Sequence, residues 1–172
     1  MQNMMANTMN WYALSVKSRH EFVAYGELLK KEIETFLPAS RRLRQWKDRK
    51  KWIDFPIFPG YLFVHVAPQP EALLKVLKTR GAVDLLSTQP GYPTPVPSEE
   101  IDSVRLLIES GTDFNVFPLL KEGTRVRVKR GPLTGAEGTL STRNEQYLFL
   151  VTIELLGRSI GVNISGDDLE AA

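Results

Sequence analysis

From Asn10 to Val16 the chain alternates, with Tyr12, Leu14 and Val16 on one face and Trp11, Ala13 and Ser15 on the other, the period-2 signature of a β-strand. A helical pattern follows. Ser18-Arg19-His20-Glu21 has the spacing of a capping box; Phe22, Tyr25, Leu28 and Leu29 then recur as an apolar stripe, and Lys30, Lys31, Glu32 and Glu34 take the wet side. Thr35 to Trp46 reads as a strand running out and Trp52 to Phe55 as one running back. The Lys47-Asp48-Arg49-Lys50 stretch between them holds no glycine, so a turn longer than two residues is expected. Pro56 and Pro59 cannot donate to a ladder, which places the segment before Gly60 at an edge, bulge or corner. Beyond it Tyr61, Phe63 and His65 share one face and Leu62, Val64 and Val66 the other. A strand apolar on both faces is either covered twice or covered once with its second face reserved for a partner.

Pro70 suits a first helical position, and Leu73, Leu74, Val76 and Leu77 form a stripe running to Gly81, expected as a left-handed cap. Ala82 to Leu86 reads as a short buried strand, and residues 89–97 as a loop rich in Pro and Gly. Ser98 is expected to cap a helix with Glu99, Glu100 and Asp102 in its first turn, a buried face of Ile101, Val104, Leu107 and Ile108, and a stop at Gly111. The pattern lapses from Thr112 to Lys121. After that come short strands only: Arg125 to Lys129, Glu137 to Thr142, Gln146 to Leu155 and Ser159 to Ile164, with Asp167 to Glu170 as a short fifth. The expected fold class is α+β: an N-terminal antiparallel sheet flanked by helices over 10–111, a linker over 112–121, and a small C-terminal β-barrel over 122–170, closed to remove its edges.

Composition narrows the chemistry. The 172 residues contain no cysteine, which removes disulfides, thiol nucleophiles and Cys-based metal or iron–sulfur sites. His20 and His65 are the only histidines and have no paired ligand spacing. Gly131-Pro132-Leu133-Thr134-Gly135-Ala136-Glu137-Gly138 lacks the ending of a phosphate loop and opens no helix, so it reads as turn chemistry. The expectation is a protein that is not an enzyme and has no cofactor and no metal. Met1 to Asn10 carries no Lys or Arg, and no apolar run approaches membrane-spanning length; a cytoplasmic monomer without membrane contact is expected.

Net charge is only +2, but its distribution is uneven: Arg41, Arg42, Arg44, Lys47, Arg49, Lys50 and Lys51 are opposed within their stretch by Asp48 alone. Such a run can be a solvated face. Its density, the near absence of acids and the flanking Trp46 and Trp52, which could stack on bases, favour a protruding hairpin that contacts nucleic acid.

Trp11-Tyr12, Phe58-Pro59-Gly60-Tyr61-Leu62-Phe63-Val64 and Gly81-Ala82-Val83 together resemble the N-terminal domain of the NusG family of transcription elongation factors. Gly123-Thr124-Arg125-Val126-Arg127-Val128, Gly131-Pro132-Leu133, Gly135, Gly138 and Leu155-Leu156-Gly157-Arg158-Ser159 resemble its KOW domain, an SH3-like barrel. The resemblance implies an adaptor that sits on the clamp helices of RNA polymerase and modulates pausing, termination or antitermination. On this sequence the polymerase-facing set is Phe58, Pro59, Gly60 and Tyr61, with Trp11 beside them. The set facing a second partner, Rho or the ribosomal protein NusE, is Leu133, Leu156, Gly157 and Arg158. The basic hairpin precedes the polymerase anchors directly and is expected on upstream or non-template DNA. Relatives often carry aromatic residues where Leu133 and Leu156 stand; that difference and the strongly basic hairpin suggest a specialised, operon-directed paralogue over the general factor. A ribosome-associated RNA-binding protein is the reading from another class, and it leaves Phe58 to Tyr61 unexplained.

Overall fold

A computed structural model describes residues 8–118, 123–143 and 146–172. The leader expectation for the first residues and the end of the expected linker therefore lie mostly outside the described residues. Contacts divide the chain into two compact units, one up to Val96 and one from Pro97 onward.

The N-terminal unit is built on an antiparallel sheet. β1 (Asn10–Val16) is central; β5 (Tyr61–Val66) lies along one side of it with β2 (Glu34–Phe36) beyond, and β6 (Ala82–Leu85) and β7 (Pro95–Val96) share its other side. The register pairs Tyr12 with Val64 and Leu14 with Leu62, so the two alternations expected from sequence meet on one face. That face forms a cluster of Tyr12, Leu14, Val16, Leu62, Val64 and Val66 with Ala24 and Leu28 of α1 (Glu21–Lys30) and Val76 of α2 (Pro70–Leu77). The opposite face is aromatic: Phe63 lies 6.2 Å from Phe36 and 6.4 Å from Phe58, centroid to centroid, and Trp11 stacks on His65 at 4.8 Å.

Several local expectations are corrected here. Helix α1 starts at Glu21, not Ser18, because Arg19 takes φ 63° and turns the chain first; His20 is the N-cap and no side chain caps the helix. Its buried positions are Glu21, Ala24 and Leu28, while Phe22 and Leu29 are exposed. The helix ends in a Schellman motif without glycine: Ile33 N–H reaches Leu28 O and Glu32 N–H reaches Leu29 O, with Glu32 at φ 60°. Thr35 to Trp46 is not one strand. Leu37-Pro38 separates β2 from β3 (Ala39–Trp46), which pairs only with β4 (Arg49–Pro56) as a two-stranded sheet of its own. α2 stops at Leu77, so Gly81 is not its cap; Gly81, at φ 90°, accepts from Lys17 N–H at 2.8 Å. β6 is half open to solvent, with Val83 exposed and only Leu85 buried.

The C-terminal unit begins with α3 (Ser98–Glu109), whose N-cap is Pro97, with Ser98 already inside the helix and no side-chain cap. This helix, expected to close the N-terminal domain, makes hydrogen bonds with the C-terminal segment. Its Glu100 Oε1 accepts the Glu154 N–H at 2.9 Å, and its Ser103 Oγ accepts the Glu137 N–H at 3.3 Å. Six antiparallel strands run in the order β13 (Leu169–Ala171), β9 (Thr124–Val128), β10 (Glu137–Arg143), β11 (Gln146–Ile153), β12 (Arg158–Asn163), β8 (Asn115–Pro118). β8 takes up part of the stretch expected as linker, and among the described residues the ladder runs from β13 to β8 with no pairing between the two. Val126, Val128, Phe149, Val151, Ile160 and Val162 lie in the core. β10 and β11 approach so closely at Gly138 that a Cβ there would sit 2.2 Å from the Leu150 carbonyl oxygen. On the surface, hydrogen bonds from the Arg127 guanidinium hold the Glu137 carboxyl below its usual range, with Arg125 adding to the effect.

Candidate functional site

β4 leads into β5 through the corner at Phe58-Pro59-Gly60-Tyr61. Tyr61 N–H donates to Phe58 O at 3.0 Å, with Pro59 and then Gly60, at φ 87°, in the middle. This is a type II turn, in which proline fixes the first central φ and glycine supplies the positive second one. Two further bonds tie it to the scaffold. Val16 N–H donates to Gly60 O at 2.9 Å, and Gly60 N–H donates to the Glu21 carboxylate at 3.0 Å. Glu21 is 7 % exposed; its spacing suggested a capping role in sequence, but its partner lies 39 residues along the chain.

The five residues expected to face polymerase divide by exposure. Pro59 is exposed and Gly60 and Tyr61 are half-buried, so they form the accessible ridge. Phe58 is 2 % exposed and meets Phe63 edge-on, at an interplanar angle of 89°. Trp11 is 8 % exposed, its ring against His65, whose Nδ1 lies 2.7 Å from Glu34 Oε2. Phe58 thus lies in the floor beneath the ridge, whereas Trp11 pairs with His65 while Ser15 pairs with Tyr61, four residues along β1 from the corner and not beside it. Strand periodicity alone does not distinguish such buried rings from exposed anchors.

The basic residues lie on the β3–β4 hairpin, where every residue from Arg41 to Trp52 is exposed. Trp46 pairs with Arg49, so the loop is Lys47-Asp48, two residues long, not the longer one expected. Neither loop residue has positive φ, so this is not one of the mirror-image turns that match strand twist. The guanidinium carbons of Arg44 and Arg49 stand 5.6 and 6.0 Å from the Trp46 ring centroid. Arg41 Nε lies 3.9 Å from Asp54.

In the C-terminal unit Leu133 is buried at 5 % in the turn between β9 and β10. Leu156 ends a short 3₁₀ turn, Gly157 follows at φ 62°, and Arg158 opens β12, exposed. In an antiparallel meander the β9–β10 and β11–β12 connections emerge at the same end, so topology brings the four residues to one rim, although Leu133 turns inward. Among the described residues no group of three or more His, Cys, Asp or Glu is placed to hold a metal ion, and no helix is long and apolar enough to cross a membrane.

A family model described as transcription termination factor nusG matches residues 9–105. The transcription termination/antitermination protein NusG of Borreliella burgdorferi is 28 % identical over 148 residues, covering 81 % of this chain and 76 % of that protein. The protein of the same name from Chlamydia pneumoniae is 28 % identical over 176 residues, covering 93 % and 91 %. Among solved structures, Thermotoga maritima NusG superposes with a TM-score of 0.51 at 21 % identity, over 94 % of this chain and 96 % of that one, a likeness of fold.

Proposed function

The chain belongs to the NusG family, and from that premise we propose that it binds RNA polymerase through the Phe58–Tyr61 corner and modulates pausing, termination or antitermination. The relatives' names place it with transcription factors. The observation that carries the finer reading is the corner itself. Pro59 and Tyr61 present an apolar ridge on a type II turn held by Glu21 and Val16, and Phe58 stiffens it from below. A ridge fixed in this way loses little entropy on docking, which is how a small aromatic anchor comes to dominate an interface. The clamp helices are the proposed partner.

The hairpin is the proposed contact to upstream or non-template DNA, and the rim of Leu133, Leu156, Gly157 and Arg158 is the proposed site for Rho or NusE. Exposed Arg158 and half-buried Leu156 offer that surface, with Leu133 supporting it. We assign the chain to an operon-directed paralogue on the strength of its hairpin charge and its aliphatic rim; a general factor would be found on all transcribing polymerase.

Tyr61→Ala tests the main reading. The variant should keep the thermal transition of the wild-type chain and lose polymerase binding by about 2 kcal/mol or more, roughly thirtyfold in affinity. Wild-type affinity for polymerase in that variant would refute the assignment. Occupancy spread evenly over all transcribed genes would refute the operon-directed part alone.

A further inference from the structure

The β3–β4 register sorts the hairpin's side chains into two chemically different faces. Directly opposed residues in an antiparallel pair share a face. One face therefore carries Ser40, Arg42, Arg44 and Trp46 with Phe55, Ile53, Lys51 and Arg49; the other carries Ala39, Arg41, Leu43 and Gln45 with Pro56, Asp54, Trp52 and Lys50. The first face has four cations and no carboxylate. The second holds the Arg41–Asp54 ion pair and an opposed apolar pair, Leu43 with Trp52.

Arg44 and Lys51 face each other across the ladder. Like charges directly opposed destabilise a strand pair, and no carboxylate on that face compensates them. Trp46 lies in the same row, exposed, with the guanidinium carbons of Arg44 and Arg49 over its ring at 5.6 and 6.0 Å from the centroid, so a base that stacks on Trp46 displaces a guanidinium from the ring toward the phosphates. A row of cations spaced along two strands and ending in an aromatic plate has the two parts that bind a single strand: charge for the phosphates and a π-face for an unpaired base. A duplex would engage the charge and leave the plate unused, because its bases are already stacked.

We propose that the Arg42, Arg44, Trp46, Arg49 and Lys51 face is a binding site for single-stranded nucleic acid, with Trp46 as the stacking platform, and that the Leu43–Trp52 face takes no part in it. This rests on the assignment of the hairpin as the nucleic-acid contact and narrows it to one face and to unpaired strands. The tryptophan at position 52 is the internal control: it is the more exposed of the two, 58 % against 40 %, and lies on the wrong side.

The test is fluorescence anisotropy of the full chain, without polymerase, on a labelled oligodeoxythymidylate of about fifteen nucleotides. Trp46→Ala should weaken binding roughly 5- to 150-fold, the range for loss of one stacked base, and Trp46→Tyr should restore most of it. Trp52→Ala should change it less than about twofold. Arg44→Gln with Lys51→Gln should lower the slope of log K against log salt by about 1.4, two contacts at roughly 0.7 each; Arg41→Gln with Lys50→Gln should leave the slope unchanged. An RNA of the same length separates DNA from RNA as the source of the strand, and binding to either supports the site. Equal losses from the two tryptophans, a slope insensitive to face, tighter binding to duplex than to single strand, or no binding to any oligonucleotide would overturn it. Because polymerase is absent, each of those failures leaves the Tyr61 result standing or falling separately.

Discussion

Glu21 is a sharp test of whether the docking corner is preorganised. Its carboxylate accepts the Gly60 N–H at 3.0 Å, and it occupies the first turn of α1, where the helix dipole favours an anion. Glu21→Gln keeps shape and acceptor but exchanges a charge-assisted bond, worth about 1.5–3 kcal/mol, for a neutral one of about 0.5–1.5. Losing the dipole interaction costs a further 0.3–1 kcal/mol or so, giving about 1–2 kcal/mol in all. The opposing effect is relief from burying a charge, which can make such replacements neutral or stabilising. Here the charge has both a bonded donor and a helix end, so the loss should win. Glu21→Ala goes further and strands the Gly60 N–H, for a total of about 2–3 kcal/mol. Urea unfolding of the full chain measures the cost, and hydrogen exchange at the Gly60 amide localises it. Both variants should speed that exchange, alanine more, and both should weaken polymerase binding although Tyr61 is untouched. A glutamine variant as stable as wild type, with its Gly60 amide equally protected, would show that burial of the charge outweighs the bond and that the corner does not depend on it.

Two further outcomes concern the C-terminal unit. Gly138→Ala places a Cβ against the backbone oxygen of Leu150, which cannot rotate away, so β10 must shift off β11; a loss of about 2–3 kcal/mol is expected in thermal or urea unfolding. The Glu100 carboxyl is raised above its usual range by burial and by repulsion from Glu154 and Glu99, against the pull of the Glu154 N–H and Arg125. A raised folded value means that its contribution is fully present below the unfolded carboxylate range and is lost as pH rises through the folded value. Glu100→Gln, whose amide oxygen still accepts from Glu154 N–H, should remove that decline and stabilise the unit at neutral pH by a few tenths to about 1 kcal/mol. Unfolding midpoints compared across acid to neutral pH check it, and an unchanged slope would refute it.

The sheet of the N-terminal unit was legible because its central strands obey strict alternation: Tyr12, Leu14, Leu62 and Val64 could be assigned to a face, and the register brings them together. Helix ends were less legible, because Arg19 and Glu32 adopt left-handed backbone that sequence associates with glycine. The turn at Lys47-Asp48 was misjudged on the same ground: its strands pair to the last residue without a turn-forming glycine. The corner at Phe58 to Tyr61 could be singled out from its two prolines and one glycine, but its layering could not. Whether an aromatic in a two-faced strand lies in the floor or on the ridge depends on what stands above it, and Phe58 is held by Phe63 from the neighbouring strand segment. Glu21 had a plausible local partner in the capping box, which concealed its distant one. α3 declares a buried face by its period, Ile101, Val104 and Leu107, but the period does not say which strands that face meets; the bonds of Glu100 and Ser103 to the Glu154 and Glu137 N–H groups leave no periodic signal.

The hairpin and the corner are mechanically continuous, and this decides how the work of binding divides between them. A two-stranded sheet on its own is marginal in water. This one is fastened at its root, where Ile57 N–H donates to Pro38 O at 2.8 Å and the buried Ile57 and Phe58 lead straight into the docking turn. Its outer half has no such support, and the opposed Arg44 and Lys51 work against it. Ordering that half on a strand of nucleic acid costs conformational entropy, so the cationic face alone should bind weakly and with steep salt dependence. If the corner docks as proposed, the strand would meet the hairpin at the effective concentration set by a short, rooted connection, and weak affinity would suffice. On the proposed function, a rigid ridge that supplies residence time and a charged arm that reads what lies beside it would both follow from β4 running through the Pro59-Gly60 turn into β5.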